Sequence, residues 1–307
     1  MEPASELTPE LRAFVEFVAK KGRELYRDLP WRRTYDPYAI WISEVMLQQT
    51  QVSRVDGRWQ RWLERFPTVD ALAAAAPSDV LEEWQGLGYN RRALSVHRAA
   101  QAISEAGGVF PQDQKELVKL PGIGPATAAG IRAFAFNLHG VYLETNVRTV
   151  FLHELYPQAE GVPDSELVPL VELTCPASVE NATNVADTDS TENDATAELT
   201  PRSWYYALLD YGAYLKKTIP NPSRRSKSHV KQTRFEGSHR QKRAELLRVL
   251  LAHKDEGGAV FETLHQELCQ IEVNAGRETL DEQVTLGLLE ELAKEGFCQK
   301  NNEYWLP

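Results

Sequence analysis

Apolar residues recur at three- and four-residue intervals through the first two-thirds of the chain. ELTPELRAFVEFVAKKGREL (6–25), DPYAIWISEVMLQQTQVSRV (36–55), NRRALSVHRAAQAISEAGG (90–108) and PRSWYYALLDYGAYLKK (201–217) all keep this spacing. It gathers their apolar side chains on one face of an α-helix. FPTVDALAAAAPSDVLEEW (66–84) predicts two short helices, with Thr68 and Ser78 as N-caps. Period-two alternation is almost absent before about residue 218, so an all-α body is expected. Further on, QKRAELLRVLLAH, AVFETLHQEL and TLDEQVTLGLLEELAKEG predict three more helices. FCQKNNEYWL then predicts a hairpin turning about Asn301-Asn302, a dipeptide that tolerates positive φ. Three helices and a terminal hairpin predict a small winged-helix-like domain, a kind of module that binds protein as often as DNA.

Charge divides the chain further. The net charge is −10, yet residues 176–200 contain no Lys or Arg, whereas residues 216–243 contain one acid, Glu236, among many cations. The first stretch predicts a flexible acidic insertion with little apolar area to offset its ordering entropy. The second is either a solvated linker or a strand of positive charge for a phosphodiester backbone. Cys175, Cys269 and Cys298 are far apart and form no metal-ligand or disulfide pattern, so a reducing interior and no cysteine-held metal are expected. MEPASELTPELRAFVEF has neither a basic lead nor an apolar core, and no apolar run approaches the roughly 20 residues of a membrane span. Neither a signal peptide nor a membrane partner is expected.

The Gly-Pro run LPGIGPATAAG (120–130) has the look of a phosphate-holding turn that opens a helix. A dinucleotide site or P-loop needs a strand leading into the glycines, together with a Lys-Ser/Thr or a distal acid. Here a helical stretch, DQKELVKL, leads in and another, ATAAGIRAFAF, leads out. Helix, tight turn and helix make a helix-hairpin-helix, whose amides at Gly122, Gly124 and Thr127 would grip a DNA phosphate without reading sequence. A corner of pure packing is the alternative.

Two acids stand in chemically suggestive places. In WISEVMLQQTQV (41–52), Glu44 shares a helical line with Ile40 and Leu47. Apolar surroundings raise a carboxyl pKa and make a general acid near neutrality. In YLETNVRTV (142–150), Glu144 precedes a predicted helix, where the dipole and free amides favour its charged form; a simple capping acid would stand there too. A raised-pKa acid beside a low-pKa carboxylate is the pair that cleaves glycosidic bonds.

In their order, LPWRR, WISEVMLQQTQV, RFPTVDAL, GLGY, LPGIGPATAAG and NVRTV closely resemble the helix-hairpin-helix DNA glycosylases, and among these the A/G-mismatch adenine glycosylases. The resemblance is dense over about residues 25–155 and thin again at YYALLDYGA. It implies a two-lobed all-α fold and a base flipped from mispaired or damaged double-stranded DNA. It also implies N-glycosidic hydrolysis in base-excision repair. Glu44 matches the acid that protonates adenine, and Glu144 stands where the family has an Asp. Gln49 and Tyr89 match residues that wedge into the duplex; Trp31, Arg32, Asp210 and Ala126 fall at base-pocket positions. Asn146 is expected to hold the turn after Glu144.

The chain departs from the pattern in four places. Glu144 and Thr145 replace Asp and Gly, and a displacement of about 1 Å at a reacting centre can cost on the order of 100-fold in rate. Ala126 replaces a Tyr of the adenine enzymes and the Lys of bifunctional relatives, so no lyase activity is expected. The four-Cys iron–sulfur loop after DYGAYLKK is missing, and TIPNPSRRSKSHVKQ stands there instead. No cofactor is therefore expected, and Arg224, Arg225 and Lys227 are expected to take over phosphate contacts. The winged-helix-like module is expected to stand in place of the family's C-terminal domain that senses 8-oxoguanine, so the opposite base is open. Residues 1–228 are thus expected to form the glycosylase domain, 229–240 a linker and 241–307 the winged-helix-like domain. The expected protein is an intracellular, DNA-associated monomer. Two other readings stay open, the same fold excising another base and a catalytically silent binder of damaged DNA.

Overall fold

The computed structural model describes residues 7–178, 199–228 and 234–307. Residues 179–198 of the expected acidic insertion (176–200) and residues 229–233 of the expected linker (229–240) lie outside the described residues. In chain order the α-helices are α1 (Pro9–Glu24), α2 (Pro37–Leu47), α3 (Val52–Val55), α4 (Arg58–Arg65), α5 (Val69–Ala73), α6 (Pro77–Trp84), α7 (Arg91–Glu105) and α8 (Gln114–Leu117). They continue with α9 (Pro125–Phe136), α10 (Thr145–Glu154), α11 (Asp164–Thr174), α12 (Pro201–Thr218), α13 (His239–Ala252), α14 (Phe261–Asn274) and α15 (Glu282–Glu295). Caps explain most of the starts. Thr8, Thr68, Asp113, Thr200 and Ser238 accept from first-turn amides of α1, α5, α8, α12 and α13. Asp36 does so for α2 through the amides of Tyr38 and Ala39. Ser78 does not cap α6: that helix begins one residue earlier at Pro77, whose fixed φ and missing N–H suit a first helical position.

By contacts the chain divides into two units, Met1–Val45 with Phe110–Lys231 and Met46–Val109 with Gln232–Pro307. In the first, α1, α10 and α12 close over Phe14, Val18, Ile40, Phe134, Val147, Phe151, Trp204 and Leu208. Close approach depends on missing side chains: a Cβ on Gly22 would lie 2.2 Å from that of Ala207, and one on Gly212 would lie 2.3 Å from the carbonyl oxygen of Asn146. Gly212 thereby lets α12 lie against the start of α10.

In the second unit Trp62 packs edge-on against Trp84 at 5.5 Å, and both are fully buried. The expected terminal hairpin forms from β2 (Gln299–Asn301) and β3 (Tyr304–Leu306). Asn301 pairs with Tyr304, so the turn centres on Asn302-Glu303, one residue later than expected, and Asn302 takes the positive φ of 54°. A two-residue strand, β1 (Ala259–Val260), adds to β3 and completes a three-stranded antiparallel sheet in the order β1-β3-β2. Helix, strand, two helices and two strands make a winged helix. This module is tied to the rest of its unit by Lys254, 2.8 Å from both Asp79 and Glu82, and by Glu295, which pairs with Arg91 and Arg243. Among the described residues no helix is long and apolar enough to cross a membrane.

Candidate active site

The hairpin turn sits between α8 and α9, as the Gly-Pro pattern predicts. Gly122 takes φ 76°, a conformation that L side chains rarely adopt, and Ile123 plugs into the core at 4% exposure. Gln114 Nε2 donates to the carbonyl of Pro125 at 3.0 Å and braces the turn from outside. Gly122 and Gly124 are exposed, so their amides stay available to an anion at the start of α9. Thr127 is buried in the first turn of that helix, and Ala126 is half-buried beside it.

Glu44 lies on the last turn of α2. Tyr142 Oη donates to Glu44 Oε2 at 2.9 Å, and Gly130 of α9 lies beside both groups, where a Cβ would come within 2.4 Å of the same oxygen. Burial raises the Glu44 carboxyl to a pKa of about 8; the Tyr142 hydrogen bond and the Arg32 charge pull it down, and the charge of Glu144 pushes it up. The carboxyl is thus biased toward its neutral form.

Glu144 caps α10, accepting from the amides of Asn146 at 2.5 Å and Val147 at 3.2 Å. Its pKa is nonetheless raised, because burial outweighs the amides and the Lys216 charge that favour its ionised form. This corrects the expectation of a low-pKa carboxylate from cap and dipole alone. Lys216, on α12 one turn beyond Gly212, is itself lowered by desolvation while Glu144 favours its charge. Asn146 supplies a backbone amide to Glu144, and its side-chain Oδ1 is buried without a hydrogen-bond partner among the described residues.

Arg32 and Asp210, both expected in a base pocket, are paired with each other. Arg32 Nη1 and Nη2 lie 2.7 and 2.8 Å from the two Asp210 oxygens, and Arg27 Nε adds a third contact at 2.5 Å. The Arg32 guanidinium also lies 4.3 Å from the centre of the Tyr206 ring, which stacks on Phe134. Trp31 is buried alongside. Arg202, which sequence reading passed over, donates to the carbonyls of Arg32 and Thr34 at 2.6 and 3.1 Å and to that of Phe134. It fixes the Pro30–Arg32 turn to α9.

The two expected wedge residues lie in the second unit. Gln49 and Tyr89 are exposed and hold φ of 55° and 51°, a strained region for residues other than glycine. Arg92 joins their loops by donating to the carbonyl of Gln48 at 2.7 Å and to those of Leu87 and Gly88 at 3.2 and 3.0 Å. Of the expected phosphate-binding cations, Arg224 and Lys227 are exposed. Arg225 is not available in the same way. It donates to the carbonyls of Leu152, in the last turn of α10, and of Tyr156 and Ala159 in the segment that follows, and a cation at that helix end complements the dipole.

Fold and site together define a helix-hairpin-helix protein with two electrostatically coupled glutamates behind the hairpin. Residues 42–197 match the family model of the HhH-GPD superfamily of base excision DNA repair proteins, and the chain belongs to that family. It is similar to an adenine DNA glycosylase of Mycolicibacterium smegmatis, 43% identical over 152 residues that cover 49% of this chain and 52% of the relative. Another adenine DNA glycosylase, from Buchnera aphidicola subsp. Baizongia pistaciae, is 40% identical over 127 residues, 41% of this chain and 36% of the relative. The chain thus spans about half or less of the curated relatives it matches most strongly. A solved thermostable thymine-DNA glycosylase shares the fold, with a TM-score of 0.56 and 21% identity over 69% of this chain and 90% of that one.

Proposed function

We propose that the protein is a monofunctional DNA glycosylase that removes adenine, or a related purine, from mispaired duplex DNA. The observation that carries this reading is Glu44: a carboxyl held near pKa 8 and oriented by a buried phenol, in the field of a second carboxyl. In the proposed reaction the neutral Glu44 gives its proton to the departing base as the C1′–N bond breaks. Glu144 stabilises the cationic sugar in its ionised form, which the cap amides and Lys216 favour against burial, and the Glu44 carboxylate then takes a proton from the water that adds to C1′. The strained, exposed Gln49 and Tyr89 suit a wedge that fills the space of a base leaving the stack, a step costing a few kcal/mol. No cofactor enters this scheme. Ala126 offers no amine, which supports hydrolysis without a lyase step.

A single-turnover assay on duplexes carrying mispaired adenine and on a panel of other mispairs and lesions tests the proposal. Abasic product from mispaired adenine is expected. Release of a different base would reassign the pocket, and tight mismatch binding without any abasic product would make the protein a silent binder.

The hairpin amides and the cations Arg224 and Lys227 are proposed to hold DNA phosphates. Double replacement of Arg224 and Lys227 by Glu should weaken duplex binding and lower the slope of log K against log salt by about one unit for each phosphate that goes unneutralised. Binding titrations from low to moderate salt measure this, and an unchanged slope would rule the two cations out. Arg225→Glu should instead lower thermal stability, since it strips three carbonyls of their donor.

A further inference from the structure

We propose that Tyr142 is the positioning residue of this centre, orienting the Glu44 carboxyl from a place that Gly130 leaves clear. The inference rests on the proposed glycosylase chemistry for its rate effects, but its geometric part stands alone. A Cβ on Gly130 would lie 2.4 Å from Glu44 Oε2 and 2.9 Å from Tyr142 Cε2, so glycine is what admits the carboxyl and the ring together. The Tyr142 ring is 7% exposed and is clamped edge-on by Phe134 at 5.2 Å and Tyr205 at 5.3 Å. Its backbone amide donates to Tyr205 Oη at 3.1 Å, and Tyr205 Oη in turn donates to the carbonyl of Gly140. Ring and backbone are therefore both fixed, and the hydroxyl reaches Glu44 Oε2 with little freedom.

That contact has a chemical consequence. A phenol that donates to Oε2 leaves the carboxyl proton to the other oxygen, so the acid is set in one orientation before substrate arrives. The phenol stays protonated, since burial and both glutamates hold its own pKa well above the usual tyrosine range. The hydroxyl that meets Glu44 thus comes from the segment leading into Glu144, two residues before that second carboxyl. The other charges facing Glu44 are Glu144 and Arg32; Arg32 is paired with Asp210, and Lys216 acts on Glu144.

The test is Tyr142→Phe, which keeps the ring and removes the hydroxyl. Carbon-13 NMR of glutamate-labelled protein without DNA, with the Glu44 signal assigned by Glu44→Gln, reads the titration directly. A hydrogen bond to the charged form lowers a carboxyl pKa, so its loss should raise the Glu44 midpoint by about 0.5–1 unit. Single-turnover excision should slow about 10-fold at the optimum while its alkaline limb moves to higher pH. Gly130→Ala, folded by circular dichroism, should also slow excision, because the new methyl displaces the carboxyl. A Glu44 midpoint that stays put or falls in Tyr142→Phe overturns the proposal, as does full activity in both variants. If the wild-type protein excises no base at all, the proposed function fails, and the titration still decides the role of Tyr142.

Discussion

Glu44→Gln is expected to lower single-turnover excision by about 10²–10⁴-fold, the usual contribution of a positioned general acid, while leaving duplex affinity unchanged. The amide keeps the size of the side chain and can still accept from Tyr142, so the pocket is preserved and only the transferable proton is lost. The same substitution changes stability in a pH-dependent way. The folded-state pKa of Glu44 is raised from 4.5 to about 8. Its protonated form therefore contributes stability that is fully present below about pH 4.5 and is lost as pH rises through 8. Above that pH the native state holds a carboxylate that unfolding would return to water. Glu44→Gln should consequently melt several degrees above the wild type at pH 9 and show no such gain near pH 5. Retained excision would end the acid assignment, and a melting difference independent of pH would show that the carboxyl is not desolvated.

The expected profile of this acid could be derived from a short stretch of chain, whereas the neighbour that orients it could not. Ile40, Glu44 and Leu47 fall on one helical line, so apolar surroundings for the carboxyl followed from spacing. Tyr142 is 98 residues away from Glu44, and its place depends on a glycine in a third segment. Arg92, Arg202 and Lys216 were missed for the same reason: each acts on carbonyls or charges that only tertiary folding brings within reach. Arg225 shows the converse. Its sequence neighbourhood is uniformly basic, and nothing there distinguishes the side chain turned inward to cap α10 from Arg224 and Lys227, which remain exposed. Glu144 was placed correctly as a cap, but the sign of its pKa shift depended on burial, which sequence does not give. The winged helix followed from its helices and hairpin, except that β1 has two residues and is too short to show alternation.

Asp210→Ala is expected to destabilise the protein by about 3–5 kcal/mol, the range found when one partner of a buried ion pair is removed. Asp210 is 2% exposed and satisfies two guanidinium groups, while Arg32 is 3% exposed and has no second carboxylate among its hydrogen-bond partners in the described residues. Without Asp210 the Arg32 cation would keep the carbonyl of Arg27 and the faces of Tyr26 and Tyr206, which do not neutralise it. Replacing both members, as in Arg32→Met with Asp210→Leu, should recover part of the loss, because the fully buried charge of Arg32 goes with its partner and only the more exposed Arg27 is left without the carboxylate. Chemical denaturation of the two single variants and the double variant measures the coupling, and additive losses would show that the pair is not energetically linked. Asp210→Asn adds a test at the active centre. It frees the Arg32 charge, which already lowers the pKa of Glu44, so the alkaline limb of excision should move to lower pH. Tyr142→Phe moves that limb the other way. Opposite displacements from two substitutions, one removing a donor and one unmasking a cation, are what a single titrating Glu44 requires; displacements of the same sign would place the controlling ionisation on another group.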